Sequence, residues 1–323
     1  MTCKLAAASI VVSTLAAVGS ASVALAEEVP GDALLMCRST PDRPPNQHLA
    51  FAELPQSATS TGLRPKIGNG KEQDRKDWPA SLWGGTAEPP SLDRFAENLA
   101  CSATLVGPRV LLTAAHCIAD NGTVAVYRNG QKIANGTCDQ APGWKSRRFT
   151  GGEDWALCLM NLDMPLPDGG DGRSKGFEVV AIGVGIRASD ILQLTGFGCD
   201  ENFRTDGRFI AGAAEIAVAP SAEAAYGATP FYQRGSSGPD PAAYVCEGDS
   251  GGADYMSFPN ASRRAVGVNS ARSLINGRYA SCSAILASDQ GRKFVKDWLA
   301  EPEHKKKGAA ICGVSPDARN CRQ

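Results

Sequence analysis

The sequence predicts an all-β protein with one helix near its C-terminal end. Three observations carry that expectation. Glycine (35) and proline (20) are plentiful in the 323 residues, more than suits a helical protein and in keeping with many short strands joined by turns. From Ile67 onward the apolar residues come in short runs separated by turn residues. Only close to the C-terminal end do they fall at helical spacing.

Taken in order, the first element is a leader. Lys4 precedes an apolar run over residues 5–18, and Ala24-Leu25-Ala26 places small residues ahead of Glu27. This pattern predicts a signal peptide over residues 1–26. An uncleaved anchor or a buried helix is the alternative, but the run is short and is interrupted by Ser and Gly. Residues 27–66 are rich in Pro, Ser and Thr and hold no long periodic segment, which predicts a loosely folded pro-segment or linker. Residues 101–106, Gly107-Pro108-Arg109 and residues 110–113 read as a β-hairpin. Residues 155–162, 179–182, 191–195 and 266–270 read as further strands. Phe294, Val295, Trp298 and Leu299 share one face of a helix. Residues 301–323, with Lys305, Lys306 and Lys307, read as a polar tail with a solvated end tied down by Cys312 or Cys321. The main body is therefore expected over residues 67–300, and the length allows two folding units within it.

The formal net charge of -1 and the absence of a long basic block argue against nucleic acid or an anionic membrane as partner. Past the leader no segment is expected to cross a bilayer, so the mature chain is expected to be secreted or periplasmic. Of eleven cysteines, Cys3 leaves with the leader and ten remain, with no C-x-x-C pair among them. In an oxidising compartment an even set without such pairs predicts structural disulfides rather than a metal or redox site.

Three residues then stand out for chemistry. His48, His116 and His304 are the only histidines. The first lies in the expected pro-segment and the last in the tail, so a catalytic imidazole in the body must be His116. It sits in Thr113-Ala114-Ala115-His116-Cys117, straight after an apolar strand. Ser250 sits in Gly248-Asp249-Ser250-Gly251-Gly252. A serine hydroxyl needs a base to take its proton. Glycines beside it let the backbone turn tightly and turn its N–H groups, those of Gly248 and Ser250, toward a bound carbonyl. Asp154 opens the apolar strand Asp154-Trp155-Ala156-Leu157, where a carboxylate can accept the N–H of the base and fix its tautomer. Each residue alone has a plain structural reading: a packed His, a glycine turn, a strand-capping Asp.

Together, in the order His, Asp, Ser, these motifs closely resemble those of the trypsin/chymotrypsin-like serine peptidase family. T-A-A-H-C, D-W-A-L and G-D-S-G-G stand in family order, whereas other serine hydrolase triads run differently. Thr195-Gly196-Phe197-Gly198 and Ser270 in Val268-Asn269-Ser270 are similar to further family segments. The resemblance runs from about Ile67 to Leu299. It implies two six-stranded Greek-key β-barrels, split near residue 180, with the site in the cleft between them. His116 and Asp154 would come from the first barrel, and Ser250 with the Gly248 and Ser250 amides from the second. The chemistry implied is acyl transfer to Ser250 and hydrolysis of the acyl-enzyme, on a protein or peptide substrate and without a cofactor. A Cys101–Cys117 disulfide beside His116 is implied, and with it Cys246–Cys282 beside the oxyanion loop. Ser270 would support the triad and the substrate backbone.

The family's active form begins at a freed Ile whose ammonium pairs with the Asp before the nucleophile. Here that implies a zymogen cut between Lys66 and Ile67 by an activating protease, with Ile67 pairing to Asp249. Trp78-Pro79 comes at the family's spacing from that start, but Gly68 replaces the usual Val. Other departures fall at the substrate pocket. Ala271 stands where a large aromatic normally follows Ser270, Arg272 replaces a Gly, and Ala253 replaces a Pro. Six residues before Ser250, where trypsin-like relatives carry a carboxylate, stands Tyr244, so a strong Arg/Lys preference is not expected and a neutral or modest-sized side chain is favoured. Glu247 at the rim or Arg272 is a second influence on preference. The other functional class on this fold is a non-catalytic binding protein. Such proteins generally lose a triad member, and all three are present here.

Overall fold

The computed structural model describes residues 45–53, 67, 70–88, 90, 99–145, 152–168, 175–198, 208–221, 226–231, 243–259, 262–275 and 278–322. The expected signal peptide, Lys66, Gly68, Cys37 and Cys199 lie outside these residues.

The described chain is mostly strand, in two sheets. The first is a closed barrel of seven strands in the order β1-β3-β4-β5-β8-β7-β6. These are β1 (Asn46–Ala52), β3 (Ser81–Gly85), β4 (Leu99–Gly107), β5 (Val110–Thr113), β6 (Ile118–Arg128), β7 (Gln131–Gln140) and β8 (Ala156–Met160). The second sheet also has seven strands, in the order β11-β14-β13-β12-β9-β10-β2. It is built from β2 (Lys71–Glu72), β9 (Ile191–Gly196), β10 (Ile210–Glu215), β11 (Tyr226–Phe231), β12 (Ala253–Ser257), β13 (Arg263–Ile275) and β14 (Arg278–Ile285). Three α-helices, α1 (Pro142–Lys145), α2 (Asp289–Ala300) and α3 (Pro302–Lys306), and two single helical turns, Arg75–Asp77 and Ala115–Cys117, complete the described elements.

The all-β expectation with a terminal helix holds, as do the hairpin of β4 and β5 and the strands β8, β9 and β13. The hairpin closes with Leu105 opposite Leu111 and Gly107 opposite Val110. In α2, Ser288 caps the first turn by accepting from Gly291 N at 3.1 Å. Phe294, Val295 and Trp298 are buried on one face of α2, which is what the spacing predicts.

Three expectations are corrected. Residues 46–52, inside the segment expected to be loosely folded, form β1 and close the first barrel. It pairs in parallel with β6, Leu49 opposite Val124 and Phe51 opposite Val126, and antiparallel with β3, Phe51 opposite Gly84. Leu49, Ala50 and Phe51 are fully buried. A strand covered on both faces shows a short continuous apolar run rather than alternation, and so lacks a periodic signature. Gly84 is required there, because a Cβ would lie 2.4 Å from Phe51 Cε1.

Residues 179–182 do not form a strand. They are a buried connector that meets β13 through one bridge, Val180 opposite Ala265, and their apolar side chains fill the core. A short apolar run fits either role. The tail, finally, is less solvated than its composition suggests. Cys312 N donates to Val106 O at 2.8 Å and Val180 N to Cys312 O at 2.8 Å, and Ile311 and Cys312 are buried. Cys312 is bonded to Cys321, and Arg322 with Arg263 reaches the buried carboxylate of Glu178. One apolar stretch, residues 309–314, fixes a tail that is otherwise polar. Among the described residues no helix is long and apolar enough to cross a membrane.

The core has two parts. One fills the first barrel and continues between the sheets. The other lies inside the second sheet and includes Ile67, Leu192, Leu194, Ile210, Val245, Val266 and Ile285.

Candidate active site

His116 sits in a single helical turn, Ala115–Cys117, between β5 and β6. The turn is held from several sides. The Cys101–Cys117 disulfide ties it to β4. The buried Gln140 side chain donates to Ala115 O and Ile118 O, both at 2.8 Å. Asn46, from β1, donates to Cys117 O at 2.8 Å. Neither Gln140 nor Asn46 was flagged by the sequence, because a lone amide side chain carries no local pattern.

Asp154 is fully buried just before β8. A buried carboxyl group is costly unless donors satisfy it, and three do. His116 N donates to Oδ1 at 2.8 Å. His116 Nδ1 lies 2.6 Å from Oδ2, and Ser270 Oγ donates to the same oxygen at 2.6 Å. Asp154 therefore grips His116 by backbone and ring together. With Nδ1–H committed to the carboxylate, Nε2 is left as the basic nitrogen. Burial pulls the His116 pKa down, but the charge of Asp154 and its hydrogen bond outweigh that, and the net shift is upward from 6.5. The resulting imidazolium is stabilised where it would form.

The Ser250 turn lies against the same region. Ser102, next to the disulfide on β4, donates its N–H to Ser250 O at 2.7 Å and its hydroxyl to Gly248 O at 2.8 Å. Cys117 Sγ is 3.7 Å from Ser250 O. Ser102 thus joins the first barrel to the Ser250 turn, another role with no sequence signal. Gly248 (φ +94°) and Gly251 (φ +81°) occupy left-handed backbone. A Cβ on Gly251 would lie 2.2 Å from Thr113 Oγ1, so the loop can approach the end of β5 only with glycine there. Among the described residues neither Gly248 N nor Ser250 N donates to a protein acceptor, and no hydrogen bond links Ser250 Oγ to His116.

Asp249 is fully buried. Its Oδ1 accepts from Gly198 N at 2.7 Å and its Oδ2 from Cys246 N at 2.9 Å. The segment Thr195-Gly196-Phe197-Gly198 owes its glycines to this contact, since a Cβ on Gly196 would lie 2.2 Å from Asp249 Oδ1. Ile67 is fully buried in the second core, at φ +53°. Its side chain lies close to Gly212, where a Cβ would be 3.4 Å from Ile67 Cγ2.

Of the expected pocket residues, Ser270 is buried against Asp154. Tyr244 is buried, Glu247 and Arg272 are exposed, and the segment between them is held by Val245 N donating to Ser281 Oγ at 2.9 Å. Cys246 and Cys282 are both disulfide-bonded. Cys138–Cys158 joins β7 to β8, a pairing the sequence left open. Cys101, His116 and Cys117 cluster closely, but the two sulfurs are bonded to each other and are not available as thiolate ligands.

No curated protein matches the chain. Residues 67–190, which run from the buried Ile67 through β2 to β8 and hold both His116 and Asp154, match the family model for trypsin. Together with a closed barrel and a second sheet built almost wholly from strands, this match is consistent with a trypsin-like serine peptidase domain.

Proposed function

We propose that this chain is an exported serine endopeptidase whose triad is Ser250, His116 and Asp154. The observation that carries the reading is the fully buried Asp154 clamping His116 by both N–H groups, with the Ser250 turn anchored beside that histidine through Ser102. In this mechanism His116 Nε2 takes the Ser250 Oγ proton as the oxygen attacks the scissile carbonyl. The Gly248 and Ser250 amides stabilise the resulting oxyanion, a contribution of about 10²–10³ in rate for each such donor. His116 then protonates the leaving amine, and water hydrolyses the acyl-enzyme by the same route. Tyr244, Glu247, Ser270 and Arg272 border the substrate side chain and backbone in this reading.

Activation follows from the same loop. A cut between Lys66 and Ile67 would free an ammonium to pair with Asp249, a buried carboxyl group immediately before the nucleophile. Two features support this. Ile67 already occupies the second core, and its left-handed backbone is strained for a β-branched residue, a strain that cutting the preceding bond would release. The disulfides and the predicted leader support export.

A fluorophosphonate probe tests the reading directly. It should label Ser250 after treatment with a protease that cuts at Lys66, and should label neither Ser250→Ala nor the uncut precursor to a comparable extent. Labelling of another serine, or undiminished peptide hydrolysis by Ser250→Ala, overturns the triad. Full activity in the intact precursor overturns the activation step alone.

A further inference from the structure

The expected pro-segment is built into the barrel that carries His116. β1 lies between β3 and β6 and is paired on both edges, antiparallel to β3 and parallel to β6. Without it those two neighbours would present unpaired backbone N–H and C=O groups, and Leu49, Ala50 and Phe51 would leave the core they fill. Each end of the strand is fastened. Beyond its C-terminal end Glu53 N donates to Tyr127 O at 3.2 Å. Arg128 clasps the Glu53 carboxylate through Nε and Nη2, at 2.8 and 2.6 Å. Lys66 comes after all of these residues in the chain, so a cut there leaves β1 and its fastenings whole.

The N-terminal fastening reaches the candidate active site. Asn46 stands opposite Ile118, and a register shift separates it from His48, which stands opposite Thr123. At this irregularity the Asn46 side chain meets the turn that holds His116, and its Nδ2 donates to Cys117 O at 2.8 Å. A single helical turn leaves its own carbonyls without partners. Here Gln140 takes those of Ala115 and Ile118, and Asn46 takes that of Cys117. Gln140 lies on β7, on the same side of the expected cut as His116. Asn46 comes from the other side. Cys117 directly follows His116, so the orientation of its carbonyl sets the path of the backbone that carries the imidazole. Misplacing a reacting group by about 1 Å can cost about 100-fold in rate.

We propose that the segment carrying β1 stays with the peptidase as a permanent light chain after the cut at Lys66, and that Asn46 is a positioning residue that holds the His116 turn through the Cys117 carbonyl. The inference rests on the peptidase reading. It gives the segment a role opposite to that of a discarded inhibitor, since the cut frees Ile67 while the first barrel stays closed. Asn46 touches neither the substrate nor the reacting atoms, and its effect passes through the backbone of the turn.

The experiment compares hydrolysis of one peptide substrate by the full chain cut at Lys66 and by its Asn46 variants. Asn46→Asp keeps the shape of the side chain but sets a carboxylate, with no donor at neutral pH, against the Cys117 carbonyl. In Asn46→Asp and Asn46→Ala kcat is expected to fall at least about 10-fold while KM stays within about twofold. Asn46→Gln retains an amide donor and should stay within about threefold of the parent. A role in packing alone predicts the reverse order, because Asp fits the space of Asn and Gln does not. Unchanged kcat in Asn46→Asp, or equal losses in the Asp and Gln variants, overturns the positioning role. Native gel filtration of the cut, unaltered chain should place the activity only in fractions that hold both chains. Activity in fractions without the β1 segment overturns the light-chain assignment, and this arm stands even if an Asn46 variant does not fold. Fluorophosphonate labelling separates the two failures: Ser250 labelled with undiminished kcat in Asn46→Asp sinks only this inference, whereas no labelling of Ser250 in the cut parent sinks the peptidase reading and this inference with it.

Discussion

Replacing Asp254 by Asn removes one titrating proton from the interior of the second sheet while nearly preserving side-chain volume. Burial raises the Asp254 carboxyl from 3.8 to about 8, against a hydrogen bond from Ser283 that lowers it and together with the charge of Asp249, which raises it. The other residues opposite it on β9 and β13, Leu194 and Gly267, carry no charge. An acid whose pKa is raised on folding binds its proton more tightly in the native state. Its stabilising effect is complete below pH 3.8 and is lost as pH rises toward about 8. Across that window the unfolded chain has released the proton and the folded chain has kept it. Each pH unit then costs about 1.4 kcal/mol, and from pH 5 to 7 the loss is about 3 kcal/mol. Asn does not titrate, so urea unfolding at pH 5, 6 and 7 should show the variant gaining on the parent by about 1.4 kcal/mol per unit. Taking the difference between the two proteins cancels His116, whose raised pKa acts in the same direction. A difference in stability that stays constant from pH 5 to 7 would refute the reasoning, because it would mean that Asp254 is ionised in the folded protein throughout.

Other outcomes follow from the same geometry. Peptidase activity should rise with pH through a midpoint above 6.5, because the Asp154 contact holds the His116 proton and only the free imidazole accepts from Ser250; a midpoint well below 6.5 contradicts that contact. Ser250→Ala or His116→Ala should lower turnover by at least about 10⁴-fold with unchanged circular dichroism. After a cut at Lys66 the segment carrying β1 should remain with the body under native conditions and separate only in denaturant, since Leu49 and Phe51 are barrel core; its free dissociation on native gel filtration contradicts the seven-stranded barrel. Non-reducing peptide mapping should recover Cys101–Cys117, Cys138–Cys158 and Cys312–Cys321, each worth about 2–4 kcal/mol; free thiols at Cys138 and Cys158 contradict the β7 to β8 link.

The sequence by itself determined the fold class, the helix α2 and the residues proposed for catalysis. Each of these is written in contiguous residues: turn glycines around Ser250, an apolar strand ending at His116, another opened by Asp154, and a helical face from Phe294 to Trp298. The Cys101–Cys117 pairing was also legible, through the resemblance those motifs carry. Only the tertiary structure decided the rest. β1 was hidden because a strand buried on both faces has no alternation to read, and its place depends on β3 and β6 accepting it. The anchoring of the tail depends on Val106 and Glu178, both distant in sequence. Ser102, Gln140 and Asn46 act through hydrogen bonds to backbone brought near by the fold, and a single polar side chain in a strand looks like any other. Asp254 is the clearest case. In the sequence it is one acid shortly after a glycine-rich turn, and nothing local says which face of β12 it takes. Register against β9 and β13 turns it inward, and burial there gives its charge a consequence it would not have in water.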